Sequence, residues 1–217
     1  MPGRDEALAL QVENLEKNLE NLGTVHDRKF DEEEKFIIEN IMRDESDKFE
    51  PAHERLGKLL GFTSGKVEST GSPDPWWILH DGLCIVFEDH SDGKDLGIIH
   101  VTKARQVASH PNWIRENVPA AKSATIFPVL VTPAASAEKD AMPHLKEVYV
   151  WRLGEFRDWA KKALQVIRDI RRVFPGSGDL AWRGLAADKL KTAQLDPHTI
   201  AGTIVSKNAE KVLAIKE

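Results

Sequence analysis

One cysteine, Cys84, in 217 residues rules out any disulfide within the chain. Its place inside the apolar run Leu83-Cys84-Ile85-Val86-Phe87 marks it as a small buried hydrophobe. No apolar run approaches the ~20 residues that span a bilayer. The opening Met-Pro-Gly-Arg-Asp-Glu lacks the basic-then-apolar order of a secretory leader, so a cytoplasmic protein with no membrane partner is expected. Excess positive charge is missing too: 30 Lys and Arg against 35 Asp and Glu leave a net charge of −5. That excludes coating of nucleic acid by bulk basicity, and any contact with DNA would need a local basic face and bound metal. Paired zinc spacings are absent, so His53, His100, His110 and His144 read as surface or hydrogen-bonded residues.

What is present is a 41% hydrophobic chain long enough for one sizeable core. Leu8, Val12, Leu15, Leu19 and Leu22 follow the four-three spacing of a coiled-coil seam, predicting a helix over 5–22 that packs on the body, on a second copy or on another protein. A second helix is expected over Asp31–Met42, and a third from near Pro51 to Gly61 carrying Glu54. Strands are expected at Lys66–Ser69, Trp76–Leu79 and Leu83–Glu88, the last two joined by a His80-Asp81-Gly82 turn. Further strands are expected at Thr125–Thr132 and Val148–Leu153. Val101–Asn117 reads as a helix with a break or kink at Pro111, Pro133–Pro143 as a surface loop or flap, Glu155–Phe174 as the clearest long helix, and the tail as two short helices. These elements divide into an N-terminal helical extension (1–48), an α/β core (49–175) and a C-terminal helical appendage (176–217).

The chemistry concentrates between Ser72 and His90. Pro73-Asp74-Pro75 precedes the Trp76-Trp77 strand, and the next strand ends in Glu88-Asp89-His90, so a hairpin would bring Asp74 and Glu88 to one edge of a sheet. Carboxylates so placed suit a hard divalent cation that keeps sites open for water and phosphate. Each acid has a plainer reading: Glu54 on a solvated helix face, Asp74 as a turn former, Glu88 in a salt bridge with arginine. Asp89 should face away from Glu88. Lys103, Arg105, Lys161, Lys162, Arg168, Arg171 and Arg172 would form a local basic face or merely solubilise helices.

The order of a helix with Glu54, a hairpin with Pro73-Asp74 and Glu88, a helix with Gln106 and two more strands resembles the PD-(D/E)xK nuclease superfamily. It is closest to nuclease domains found beside helicase modules in bacterial proteins, with Asn112-Trp113 as a further match and coverage of about Phe49 to Trp159. The resemblance implies a restriction-endonuclease-like α/β core, a mixed sheet flanked by helices. It also implies Mg²⁺ (or Mn²⁺) held by Glu54, Asp74 and Glu88, Gln106 positioning water or backbone, and cleavage of DNA rather than RNA, in anti-phage defence or DNA processing. The chain departs from the family where His90 replaces the lysine of the Glu-x-Lys element. Three readings stay open: His90 assists catalysis, its charged form favoured by adjacent carboxylates; Lys94 or Lys103 reaches in; or the site is degenerate and the fold serves binding or assembly.

Overall fold

In the computed structural model of the chain, residues 3–24, 26–67, 72–79, 82–92 and 97–216 are described. The leucine seam forms one side of α1 (Arg4–Leu22), with Leu8, Val12, Leu15 and Leu19 all buried. The next two helices, α2 (Arg28–Ile41) and α3 (Ser46–Leu59), both begin before the expected residues. Pro51 sits in the second turn of α3, where it forgoes one intrahelical hydrogen bond without ending the helix. Gly61 stops α3 at φ 87°, and a Cβ there would lie 2.3 Å from the Gln11 carbonyl oxygen.

A five-stranded sheet follows, built from β1 (Thr63–Gly65), β2 (Trp76–Leu79) and β3 (Leu83–Asp89) as an antiparallel meander. The first strand precedes the expected Lys66–Ser69, whose end lies outside the described residues, as do His80 and Asp81 of the predicted turn. After the short β4 (Ile98–Ile99), α4 (Val101–Asn117) crosses over to β5 (Thr125–Thr132), parallel to β3, and runs unbroken through Pro111. The short β6 (Ser136–Glu138) comes next, and then β7 (Tyr149–Arg152) adds in parallel to β5, giving the order β1-β2-β3-β5-β7. The architecture is α/β, a mixed sheet flanked by helices.

Both faces of this sheet are covered, which is why every residue of β3 is buried. One face meets α1, α2, α3 and the long helix α5 (Leu153–Arg171), together with α6 (Leu180–Thr192) and α7 (Pro197–Val205). The other face meets α4, the segment after β5, and α8 (Ala209–Val212). The chain ends in β8 (Ala214–Lys216), which with β4 and β6 makes a separate three-stranded parallel sheet. Pro133–Pro143, expected as a loop or flap, instead holds β6 and most of a 3-10 helix, Lys139–His144. Its alanines 134, 137 and 141 are fully buried in the second apolar layer, so it is fastened down.

Two surface roles expected of helices are taken up inside the chain. The α1 seam packs on α3, α6 and α7 and joins the main core, which leaves that face no surface for a second copy. Buried Gln11 donates to the carbonyls of Leu60 and Leu195 at 3.0 and 2.9 Å, and Glu16 accepts two bonds from Arg183 at 3.1 and 2.6 Å. The α5 arginines expected to offer a basic face are likewise engaged. Arg168 binds Glu34 and Asp31, Arg171 binds Asp27 and the Gly23 carbonyl, and Arg172 binds Asp169.

Gly57 marks the tightest helix-to-sheet approach: a Cβ there would lie 2.2 Å from Nε1 of Trp77, which donates to the His53 carbonyl. We expect Gly57→Ala to destabilise the fold by about 1–3 kcal/mol through overpacking. Urea unfolding measures this, and an unchanged midpoint would contradict the close approach.

Candidate functional site

The antiparallel register Trp76↔Val86 carries Asp74, two residues before β2, across from the end of β3. The Asp89 backbone N–H donates to Asp74 Oδ2 at 2.7 Å, and Phe87 N–H donates to the Pro75 carbonyl at 3.0 Å. Strand alternation then sends the two neighbouring acids into different layers, as the sequence predicts for Asp89. Glu88 follows Cys84 and Val86 toward α4, whereas Asp89 follows Ile85 and Phe87 toward α3. They are only 2% and 5% exposed, so each needs a partner or a proton.

Glu88 is met by α4. Lys103 Nζ lies 2.5 Å from its Oε1 and His110 Nε2 lies 2.6 Å from its Oε2. Lys103, Gln106 and His110 recur at three- and four-residue spacing, so they share one helix face. Burial pushes the Glu88 carboxyl up, but His110 and Lys103 together pull it below its ordinary value, and it is a carboxylate at neutral pH.

Asp89 meets the opposite solution. Its two carboxyl oxygens lie 3.0 and 2.9 Å from Nδ1 of His53, itself fully buried. The His53 ring stands among Phe49, Trp77, Phe87 and Phe156, with centroids 4.3 to 5.7 Å away, and its Nε2 has no polar partner among the described residues. Burial holds His53 down to about 3 and drives Asp89 well above the usual carboxyl range, helped by the charges of Glu50 and Glu88. Burial thus disfavours the charged form of both partners. Half-buried Asp74 is raised to about 9, first by burial and then by Asp89, Glu88 and Glu50.

His90 continues beyond β3, its N–H on the Val131 carbonyl at 2.8 Å and its Nδ1 3.0 Å from Thr132 Oγ1. The expectation that adjacent carboxylates keep it charged is corrected: burial and then Lys103 lower its pKa, outweighing Glu88 and Asp92. The cation at this strand end is Lys103; Lys94 lies outside the described residues. Glu54 bonds Lys58 at 2.5 Å, the i,i+4 contact of a helix surface. The α3 acid whose charge reaches Asp74 and Asp89 is Glu50, one turn earlier, which is paired with Lys66 at 2.5 Å. Gln106 is half-buried between the two residues that hold Glu88, and its carbonyl accepts from Ser109.

The fold thus brings Asp74, Glu88 and Asp89 together, with His90 and Gln106 on the flanks. Glu50, His53, Lys103 and His110 complete the group; of these, sequence reasoning singled out only Lys103 for this role. The helical repeat offered a signal, since Glu50 is one turn from Glu54 and His110 one turn from Gln106. Among the described residues, no three His, Cys, Asp or Glu side chains form a ready metal-binding group. The donor set still suits a hard divalent cation, because Asp74 Oδ1 has no protein partner among the described residues and each bonded oxygen of Glu88 has a second lone pair. No protein-family model, curated protein or solved structure significantly matches this chain.

The raised acids set the sign of a pH effect. Between the unfolded value of 3.8 and about 9 the native state holds a proton on Asp74 that the unfolded chain has released, so stability falls as pH rises through that window. His53 works oppositely and only below 6.5, where the unfolded chain takes up a proton that the native state refuses down to about 3. Between pH 6.5 and 9, in EDTA, wild-type stability should therefore decline, by at most about 1.4 kcal/mol per pH unit for each such acid. Asp74→Asn should flatten part of that slope. Urea unfolding across the range decides, and parallel wild-type and mutant profiles would reject the buried protonated acid.

Proposed function

We propose that this chain is a metal-dependent phosphodiesterase, and more particularly a nuclease that cleaves DNA on a restriction-endonuclease-like core. The observation that carries the reading is the placement of Asp74 beside the end of β3, where the charges of Asp89, Glu88 and Glu50 act on it, with a lysine on Glu88 and one Asp74 oxygen left without a protein partner among the described residues. The succession α3, β1-β2-β3, α4, β5, with β5 parallel to β3, supports the resemblance at the level of the fold.

In this reading Asp74 and Glu88 hold Mg²⁺ or Mn²⁺, with Glu50 rather than Glu54 as the leading-helix acid. The ion, when bound, polarises the scissile phosphate and lowers the pKa of an attacking water. Lys103 supplies the persistent positive charge that the strand position lacks, and stabilises negative charge developing on the phosphate oxygens. Neutral His90, held by Thr132, is available to accept a proton from water. Gln106, on the Lys103 face of α4, offers an amide to water or the DNA backbone.

A second reading has its own observation. Both Glu88 oxygens are already bonded and Asp89 is matched by His53, which is how a self-sufficient structural network looks. That arrangement favours a catalytically degenerate subunit acting as a binding or assembly module in nucleic-acid processing.

Incubation with supercoiled plasmid and with linear single- and double-stranded DNA, in Mg²⁺, Mn²⁺ or EDTA, separates the two. The nuclease reading expects cutting that EDTA abolishes and that Asp74→Asn or Lys103→Gln reduces at least ~100-fold. His90→Ala should slow cleavage, and equal rates would remove His90 from the mechanism. No cutting by folded protein under any condition would leave the assembly reading.

A further inference from the structure

Away from the acidic cluster, a cleft of about 420 Å³ opens between β7, the middle of α5 and the link from α6 into α7. Sites for small organic molecules run from ~300 to 1,000 Å³. Its aromatic wall is Trp151 and Trp159, with ring centroids 4.9 Å apart and planes inclined at 56°. Its polar residues are Lys162, Gln194 and Thr203, and no acidic residue lines it although the chain carries a net charge of −5. Neither indole N–H, nor the side chains of these three polar residues, has a protein partner among the described residues.

Gln194 adds a second kind of observation. Its φ of 59° makes it the one non-glycine residue at positive φ among those described. It follows the end of α6, where Gln194 N–H meets the Lys191 carbonyl at 3.0 Å and Leu195 N–H meets the Leu190 carbonyl at 2.8 Å. Glycine is the unstrained residue for that helix-ending geometry, so the side chain is kept at a conformational cost, and it lines the cleft.

We propose that this cleft binds a small anion with a planar aromatic body, the ring against the indole wall and the phosphate or carboxylate toward Lys162. Mononucleotides and aromatic carboxylic acids share that chemistry. Aromatic faces accept a ring of any sequence identity, while the Lys162 ammonium, with no carboxylate lining the cleft, favours an anion over a cation. The proposal does not rest on the nuclease reading, since the cleft shares no residue with the acidic cluster.

The test is titration calorimetry with parallel tryptophan fluorescence on the full chain, using adenosine 5′-monophosphate, adenosine, salicylate and inorganic phosphate as probes. The monophosphate or salicylate should bind and quench fluorescence, with adenosine and phosphate at least roughly tenfold weaker. Tighter monophosphate assigns a nucleotide site, tighter salicylate an aromatic-acid site. Lys162→Gln should weaken the anion roughly tenfold and leave adenosine unchanged. Gln194→Gly should also weaken it while keeping or raising the melting temperature, which separates a ligand contact from a folding defect. No heat or quenching at millimolar probe, or equal anion affinity in wild type and Lys162→Gln, would overturn the site and leave the cleavage assay unaffected.

Discussion

Two consecutive acids at the end of a strand buried on both faces are the constraint around which this molecule is arranged. Glu88 and Asp89 point into opposite layers, and neither side chain can keep its hydration. The layer containing α4 answers with the charge of Lys103 and a hydrogen bond to His110, which keep Glu88 ionised. The layer containing α3 answers with an apolar cage, whose burial holds the His53 imidazole down to about 3 and drives the Asp89 carboxyl well above its usual range. Each solution fixes a helix against the sheet: α4 must turn its Lys103–His110 face inward, and α3 must bring His53 over Phe87.

The charge state of the cluster links its two functional readings. Glu50 is matched by Lys66, Glu88 by Lys103, and the carboxyls of Asp74 and Asp89 are both shifted toward their protonated forms, so the four acids leave a reduced net field at neutral pH. In the nuclease reading a divalent cation would have to displace the Asp74 proton, so its apparent affinity would rise with pH. The buried network and the proposed cation site would then be the same groups at different proton occupancy.

Much of this was legible in the sequence, for reasons that differ by element. The α1 stripe and the extent of α4 follow from helical periodicity, and the strand at 125–132 from a continuous β-branched apolar run, both of which report burial directly. That Asp74 meets the end of β3 is hairpin arithmetic. That the charge of Glu50 acts on Asp74 and Asp89 was not legible, because Glu50 and Glu54 lie on one side of α3 and the approach of that helix to the sheet decides which acid comes near. The roles of His53 and His110 were hidden because their carboxylate partners lie 36 and 22 residues away. The stretch after Thr132 read as a loop because small alanines carry weak hydropathy, yet they fill the close space beside β5.

The Gln11 side chain joins the end of α3 to the turn after α6 across 184 residues of sequence. On a ribosome adding ~5–20 residues per second, α1 would wait about ten to forty seconds for Leu195 to appear. Until α6 and α7 have both been made, the seam of Leu8, Val12, Leu15 and Leu19 lacks the cover they give it. The finished protein hides its most coiled-coil-like stretch, and the exposure that the sequence suggests belongs to its synthesis.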